Sequence, residues 1–351
     1  MAGRKKVTFV QTAAPGEGGV MHPVHEKMAD SVDADIQTVS RRPLGPLNGT
    51  MLSDASLKAD IDTGYDVLII EEPGALYTLP RISLTDTTVI YFHTSPEFAG
   101  ASVYPFKDSP TPVRLGGKAH QSLDARVLKQ FVRSYVDGII TVSDLFADRV
   151  QRWYNGLVTV ATPFIEAEKQ PNLEDVDVSL NSQNAVFVGF GRGHKGVDQI
   201  VDVWPRVRNA YPKAMLQIYG KGHPSKYSNV NGVTVKGYAD SLSTAFNDAA
   251  LFIHPARLDA HPLAPLEGMF AGVPAIVSGA TGSKTALAPA LSNLVVNNHT
   301  PERLSQRIQW YFGLPNHHRK KIAKKCETIA RQYTEAELLE SFKEALQLHL
   351  D

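Results

Sequence analysis

Two clusters in the second half of the chain have residue types and spacing that suit chemistry. The first is Val188-Gly189-Phe190-Gly191-Arg192-Gly193-His194-Lys195-Gly196, where an apolar run breaks into a glycine-rich turn carrying Arg192 and Lys195. Glycines let backbone approach a ligand closely, and the start of a helix after such a turn favours an anion. Arginine grips phosphate oxygens through paired hydrogen bonds, while lysine adds a mobile point charge. The pair suits a phosphate group on which negative charge grows during a reaction. An ordinary strand-to-helix turn with two solvated cations has the same composition, so the run alone leaves both readings open.

The second cluster spans Asp259 to Pro274. Asp259 falls in the loop after the apolar run Leu251–His254, and Glu267 falls on the helix that follows. A carboxylate there can accept hydrogen bonds from both hydroxyls of a ribose. The amide of Leu263, at the start of that helix, can face a phosphate. Pro262 beside it has no N–H to offer. In the first half, His93 closes the run Val89–Phe92, at the carboxyl end of a strand, where open α/β sheets bind ligands.

These residues need a scaffold that presents strand ends and helix starts side by side. Short apolar runs at Val7–Val10, Val67–Ile70, Val89–Phe92, Gly138–Ser143 and Leu157–Thr162 read as buried strands. A helical segment, Ser122–Tyr135, stands among them. The pattern restarts with strands Ala185–Gly189, Ala214–Tyr219, Val233–Val235, Leu251–His254 and Pro274–Ser278, separated by helices Val197–Ala210, Ser241–Ala250 and Leu263–Ala271. Alternation of this kind predicts βαβ units on parallel sheets. The expected fold class is α/β with two Rossmann-like domains facing across a cleft. The domains are 1–165 and 185–333, joined by a polar linker at 166–184. The last helix, 334–351, is expected to cross back through Tyr333 and Phe342 to pack on the N-terminal domain.

The chain has 351 residues, enough for two domains, and 43% are hydrophobic. Lys plus Arg and Asp plus Glu both number 36, which speaks against a general nucleic-acid binder. Cys326 is the sole cysteine, so neither an intrachain disulfide nor a cysteine zinc site can form. No apolar run approaches the ~20 residues of a membrane helix. A cytoplasmic protein is expected. A basic helical face with Arg126, Lys129 and Arg133 could touch anionic lipid, although a core helix with a solvated basic face explains it as well.

Taken together, the two clusters resemble glycosyltransferase family 4, retaining enzymes of the GT-B fold. Gly191-Arg192, Lys195-Gly196 and Asp198 match the family's phosphate motif. Asp259, seven residues, Glu267 and Met269-Phe270-Ala271-Gly272-Val273-Pro274 match its second signature. Leu216–Gly222 and Val235–Tyr238 are similar to its intervening strands, and Asp137–Ser143 in the N-terminal half resembles its Asp-x-Ile-Ile-x-Val-Ser strand. The resemblance implies that Arg192 and Lys195 neutralise a leaving nucleoside diphosphate. It further implies that Glu267 holds the ribose, that Asp259 and His93 contact the transferred sugar, and that Gly18 and Gly19 belong to a loop near donor and acceptor. A hexosyltransferase-type activity without a metal cofactor follows, with a nucleotide-sugar donor and a glycan, lipid-linked or small-molecule acceptor. Three departures stand out: a shorter spacer between Arg192 and Lys195, aspartate rather than glutamate at 259, and Ala260-His261-Pro262-Leu263 in the donor loop. A sugar-nucleotide epimerase of the same fold and a non-catalytic nucleotide-sugar binder remain as alternatives.

Overall fold

The computed structural model describes residues 5–13, 21–42, 55, 57, 60–99, 111–297 and 300–351, without the side chains of 111–117. Gly18 and Gly19 lie outside the described residues. The chain divides into two compact units, Met1–Thr162 with Ala336–Asp351, and Pro163–Glu335.

The first unit is built on six parallel strands in the order β2-β1-β3-β4-β5-β6. They run Val7–Ala13 (β1), Asp35–Ser40 (β2), Val67–Ile70 (β3), Thr88–His93 (β4), Gly138–Thr141 (β5) and Leu157–Val160 (β6). The inner strands β3 and β5 are buried at every position, as sheets covered on both faces require. Strand β2 was not expected from sequence. It sits at the edge, reads Asp-Ile-Gln-Thr-Val-Ser, and buries only Val39. The helix Thr111–Tyr135 is longer than expected. On its basic face, Lys129 and Arg133 stand over the Trp153 ring at 5.4 and 5.7 Å, and Arg133 Nε donates to the Trp153 carbonyl at 3.0 Å. Two of the three cations thus serve packing within the unit. No described helix is long and apolar enough to cross a membrane.

The second unit repeats the plan with the order β12-β11-β10-β7-β8-β9, all parallel. Its strands are Asn184–Val188 (β7), Met215–Tyr219 (β8), Val233–Gly237 (β9), Leu251–His254 (β10), Ala275–Ser278 (β11) and Val295–Val296 (β12). Helix Val197–Ala210 buries Val197, Ile200, Val201, Trp204 and Val207, the spacing of one helical face. The helix expected over Ser241–Ala250 covers only Leu242–Phe246, because Asn247 is extended and Asp248 has a φ of 60°.

The stretch 166–184 is no linker. It contains the helix Gln170–Glu174, buries Glu166 and Leu173, and belongs wholly to the second unit. Its polar composition hid this, because Glu166 pairs with Lys169 and Glu174 with Arg331. The closing helix Glu335–Gln347 brings Phe342 into the first unit's core, 6.3 Å from Phe9 and 6.2 Å from Phe92 between ring centroids. Tyr333 stays with the second unit, where its carbonyl accepts from the Ile165 amide and its ring lies 5.9 Å from His261.

Candidate functional site

In the second unit the chain passes from β7 outward through β8 and β9, then returns to β10 on the other side of β7. The connections leaving adjacent β7 and β10 therefore run to opposite sides, which makes the carboxyl ends of these two strands the crevice position where open α/β sheets bind ligands. The first loop carries Arg192 and Lys195, and the second carries Asp259.

Glycine makes the first loop possible. Gly191 donates its N–H to the Lys221 carbonyl at 2.8 Å, and a Cβ on it would lie 2.2 Å from the Gly222 carbonyl oxygen. Gly196 has a φ of 72°, and a Cβ there would lie 2.2 Å from the Pro255 carbonyl oxygen. The turn is thus pressed between the β8 and β10 loops. Further bonds stitch it to the β10 loop: Arg257 N to His194 O at 2.7 Å, Arg257 Nη1 to Gly193 O at 2.8 Å, and Gln199 Nε2 to Pro255 O at 2.9 Å. Asp198, the acid of the phosphate motif, holds Arg257 in a two-pronged pair at 2.8 and 2.6 Å. It acts on the loop's shape.

This stitching brings Lys195 Nζ to 2.7 Å from Asp259 Oδ2 across the crevice. Asp259 is buried, which by itself would raise its carboxyl, but Lys195 and His254 outweigh burial and hold it far below the usual carboxylate range. It is an anion at any ordinary pH. His254, which the sequence reading did not single out, places Nε2 2.9 Å from the same oxygen. Its signal in sequence was its place as the last residue of β10, the counterpart of His93 on β4. Burial lowers His254 and takes His194 down to about 4, so neither imidazole is charged near neutral pH. Arg192 is different. Its side chain is exposed, with the guanidinium 5.7 Å from the ring of Phe190, itself half exposed. It stands at the mouth of the loop as a solvated donor.

Glu267 lies on the helix Ala264–Phe270, which starts after Leu263 and ends where Gly272, at a φ of 84°, turns the chain into β11. Its carboxyl is buried, and burial raises it despite Lys169 Nζ at 3.3 Å. Lys169 also pairs with Glu166. Burial pulls Lys169 down, yet the two carboxylates outweigh it and leave it raised. Lys169 was missed because its segment read as linker.

His93 belongs to the first unit. It ends β4 as expected, but only 2% of it is exposed, ringed by Tyr91, Phe98 and Phe146, with Nδ1 3.0 Å from Glu97 Oε1. The first sheet has its own divergence, between β1 and β3. There His25 Nδ1 meets Glu71 Oε1 at 2.7 Å, and Thr12 bonds Glu72. Sequence reasoning passed over this pair, since His25 and Glu71 are far apart in the chain.

The structure therefore joins Arg192, Gly191, Lys195 and Asp259 in one crevice, with Leu263 and Glu267 on the next helix. His93 lies in the other unit. Comparison with known proteins agrees with the resemblance. Residues 182–312 match the family model for group 1 glycosyl transferases. No curated protein matches the chain in sequence. Among solved structures, sucrose-phosphate synthase from Thermosynechococcus elongatus superposes with a TM-score of 0.68 at 14% identity, over 98% of this chain and 99% of its own. HepE from Anabaena, solved with UDP and glucose, gives 0.68 and 14% over 98% and 99%. TarM from S. aureus gives 0.62 and 12% over 80% of this chain. The aligned region spans only 55% of TarM, about half its length. The chain resembles group 1 glycosyltransferases and shares their GT-B fold of two Rossmann-like units.

Proposed function

We propose that this chain transfers a sugar from a nucleoside-diphosphate sugar to an acceptor hydroxyl, retaining anomeric configuration and needing no metal ion. The observation that carries this reading is the β7/β10 crevice position, with Lys195 paired to Asp259 across it and Arg192 exposed beside it. Such a crevice in an open α/β sheet is where nucleotides bind. The bond from the anomeric carbon to the diphosphate oxygen breaks, and the acceptor oxygen bonds to that carbon from the same face. The acceptor proton passes to the departing diphosphate. Arg192 and Lys195 meet the charge that grows on that group, the role a divalent cation would otherwise fill. Asp259 offers its free oxygen to a hydroxyl of the transferred sugar, and Glu267 receives the ribose hydroxyls. On the first unit, His93 and the His25–Glu71 pair stand at the strand ends that would meet the acceptor, a glycan, a lipid-linked sugar or a small molecule. That HepE was solved with UDP and glucose supports this donor class. A cytoplasmic location, with at most peripheral membrane contact, is part of the same reading.

The test is a thermal-shift panel of nucleotide sugars in EDTA, followed by product analysis with the donor that binds. A ligand at 100 times its Kd adds about 2.7 kcal/mol, a clear shift. The expected result is one stabilising donor, transfer in EDTA, and an unchanged anomeric configuration in the product. Isomerisation of the nucleotide sugar without acceptor would make the chain an epimerase. Stabilisation without turnover would make it a binding protein.

A further inference from the structure

Two donors converge on a single oxygen of Asp259. Lys195 Nζ lies 2.7 Å and His254 Nε2 2.9 Å from Oδ2. Oδ1 has no hydrogen-bond partner among the described residues. A carboxylate has acceptor sites on both oxygens, so half of this one is left over in a nearly buried group.

The geometry of His254 explains how that asymmetry is held. The ring closes β10 and is 1% exposed. Phe187 lies parallel to it, 5.9 Å away at 5°, and Phe252 6.4 Å away at 20°. Both stacks fix the ring plane. With the proton on Nε2, the ring donates to Asp259, and Nδ1 becomes the bare nitrogen. Nδ1 is buried and has no hydrogen-bond partner among the described residues. A position that served packing alone would not keep an orphaned buried nitrogen, because such groups are costly and a phenylalanine would fill the same space.

We propose that His254 is a positioning residue for the transfer, pinning Asp259 through Oδ2 so that Oδ1 stays turned toward the sugar of the donor. The inference rests on the nucleotide-sugar reading and adds to it. Lys195 has three N–H hydrogens and a flexible stem. When it turns toward the diphosphate, a carboxylate held by Lys195 alone would follow it. His254 sits on the rigid end of a strand and does not move with the ligand. Asp259 thereby keeps its place while Lys195 serves two anions.

The test contrasts His254→Phe with His254→Gln in the 351-residue chain, using the donor found by the thermal-shift panel. Phe keeps the stacked ring and loses the N–H. Gln loses the ring and keeps an N–H near the place of Nε2. Packing alone predicts that Phe is tolerated and Gln is harmful. Positioning predicts the reverse. Phe should lower kcat by about ten- to a hundredfold, the loss of one charge-assisted hydrogen bond, while Kd for the nucleoside diphosphate is unchanged. Gln should recover most of kcat. Wild-type kcat in Phe, or equal damage in Gln and Phe, overturns the proposal and leaves the transferase reading standing. A wild-type chain that turns over no donor removes that reading and the proposal with it. If the Phe variant does not fold, the 15N shifts of the wild-type ring decide: a protonated Nε2 and bare Nδ1 are expected, and a protonated Nδ1 overturns the assignment.

Discussion

Glu267 sets stability against use. Its buried carboxyl is raised above the ordinary glutamate value, so the folded state favours the protonated form. That contribution is present below the ordinary value, near pH 4.3, and is lost as pH rises through the folded value. Above the folded value the unit holds a costly anion that Lys169 only partly offsets. Glu267→Gln is therefore expected to melt higher than the parent at pH 7, with the gap closing toward pH 4, while nucleotide affinity falls. Melting curves at both pH values and a binding titration measure the two effects. A gap that widens on acidification would contradict the burial argument. Arg192 is the opposite case, since it is exposed and its one side-chain contact among the described residues is with the ring of neighbouring Phe190. Arg192→Ala should leave the melting temperature in place and slow turnover by about ten- to several-hundred-fold, through loss of hydrogen bonds to the diphosphate worth ~1.5–3 kcal/mol each. Near-parental kcat would remove Arg192 from the mechanism.

At the scale of elements, the phosphate loop is shaped by what lies behind it. Gly196 meets two demands at once, a left-handed φ of 72° and a Pro255 carbonyl where a Cβ would stand. Gly237 has a φ of 76° and open space around it. Gly237→Ala should cost about 1–2 kcal/mol, the usual penalty of the left-handed region. Gly196→Ala should cost clearly more and also displace Lys195 from Asp259. Denaturant unfolding of the two variants supplies the ranking, and equal losses would show that the loop yields easily. The motif Gly191-Arg192 with Lys195-Gly196 was legible in sequence because glycines and cations there are locally distinctive. Its backing by Arg257, Asp198 and Gln199 was not, since nothing local marks Arg257 as a partner of residues some sixty positions earlier.

Across the whole molecule, the chain ends in the unit where it began. Phe342 is fully buried beside Phe9 and Phe92. Truncating it to alanine should cost about 3–5 kcal/mol through lost burial and the cavity left behind. That loss belongs to the first unit, so Phe342→Ala is expected to lower its thermal transition while the second unit still binds nucleotide. Calorimetry with and without the donor separates the two. Loss of nucleotide binding in step with the transition would show that the two units do not unfold separately.

Local pattern sufficed for much of this. The short apolar runs at Val67–Ile70 and Leu251–His254 read as buried strands, and the periodic face of Val197–Ala210 as a helix. Their alternation implied two α/β units, and the spacing of Asp259 and Glu267 placed one acid on a loop and the other on a helix. Strand β2 and the folded stretch 166–184 escaped because polar residues in them bond distant partners, Gln37 to Thr8 and Asp62, and Lys169 to Glu267. Sequence named Lys195 and Asp259 as candidates. That they share one oxygen with His254, and that Lys169 guards Glu267, depends on strand order and loop packing. Hydrogen bonds across a sheet join residues whose separation along the chain carries no signal, so only the assembled unit could decide them.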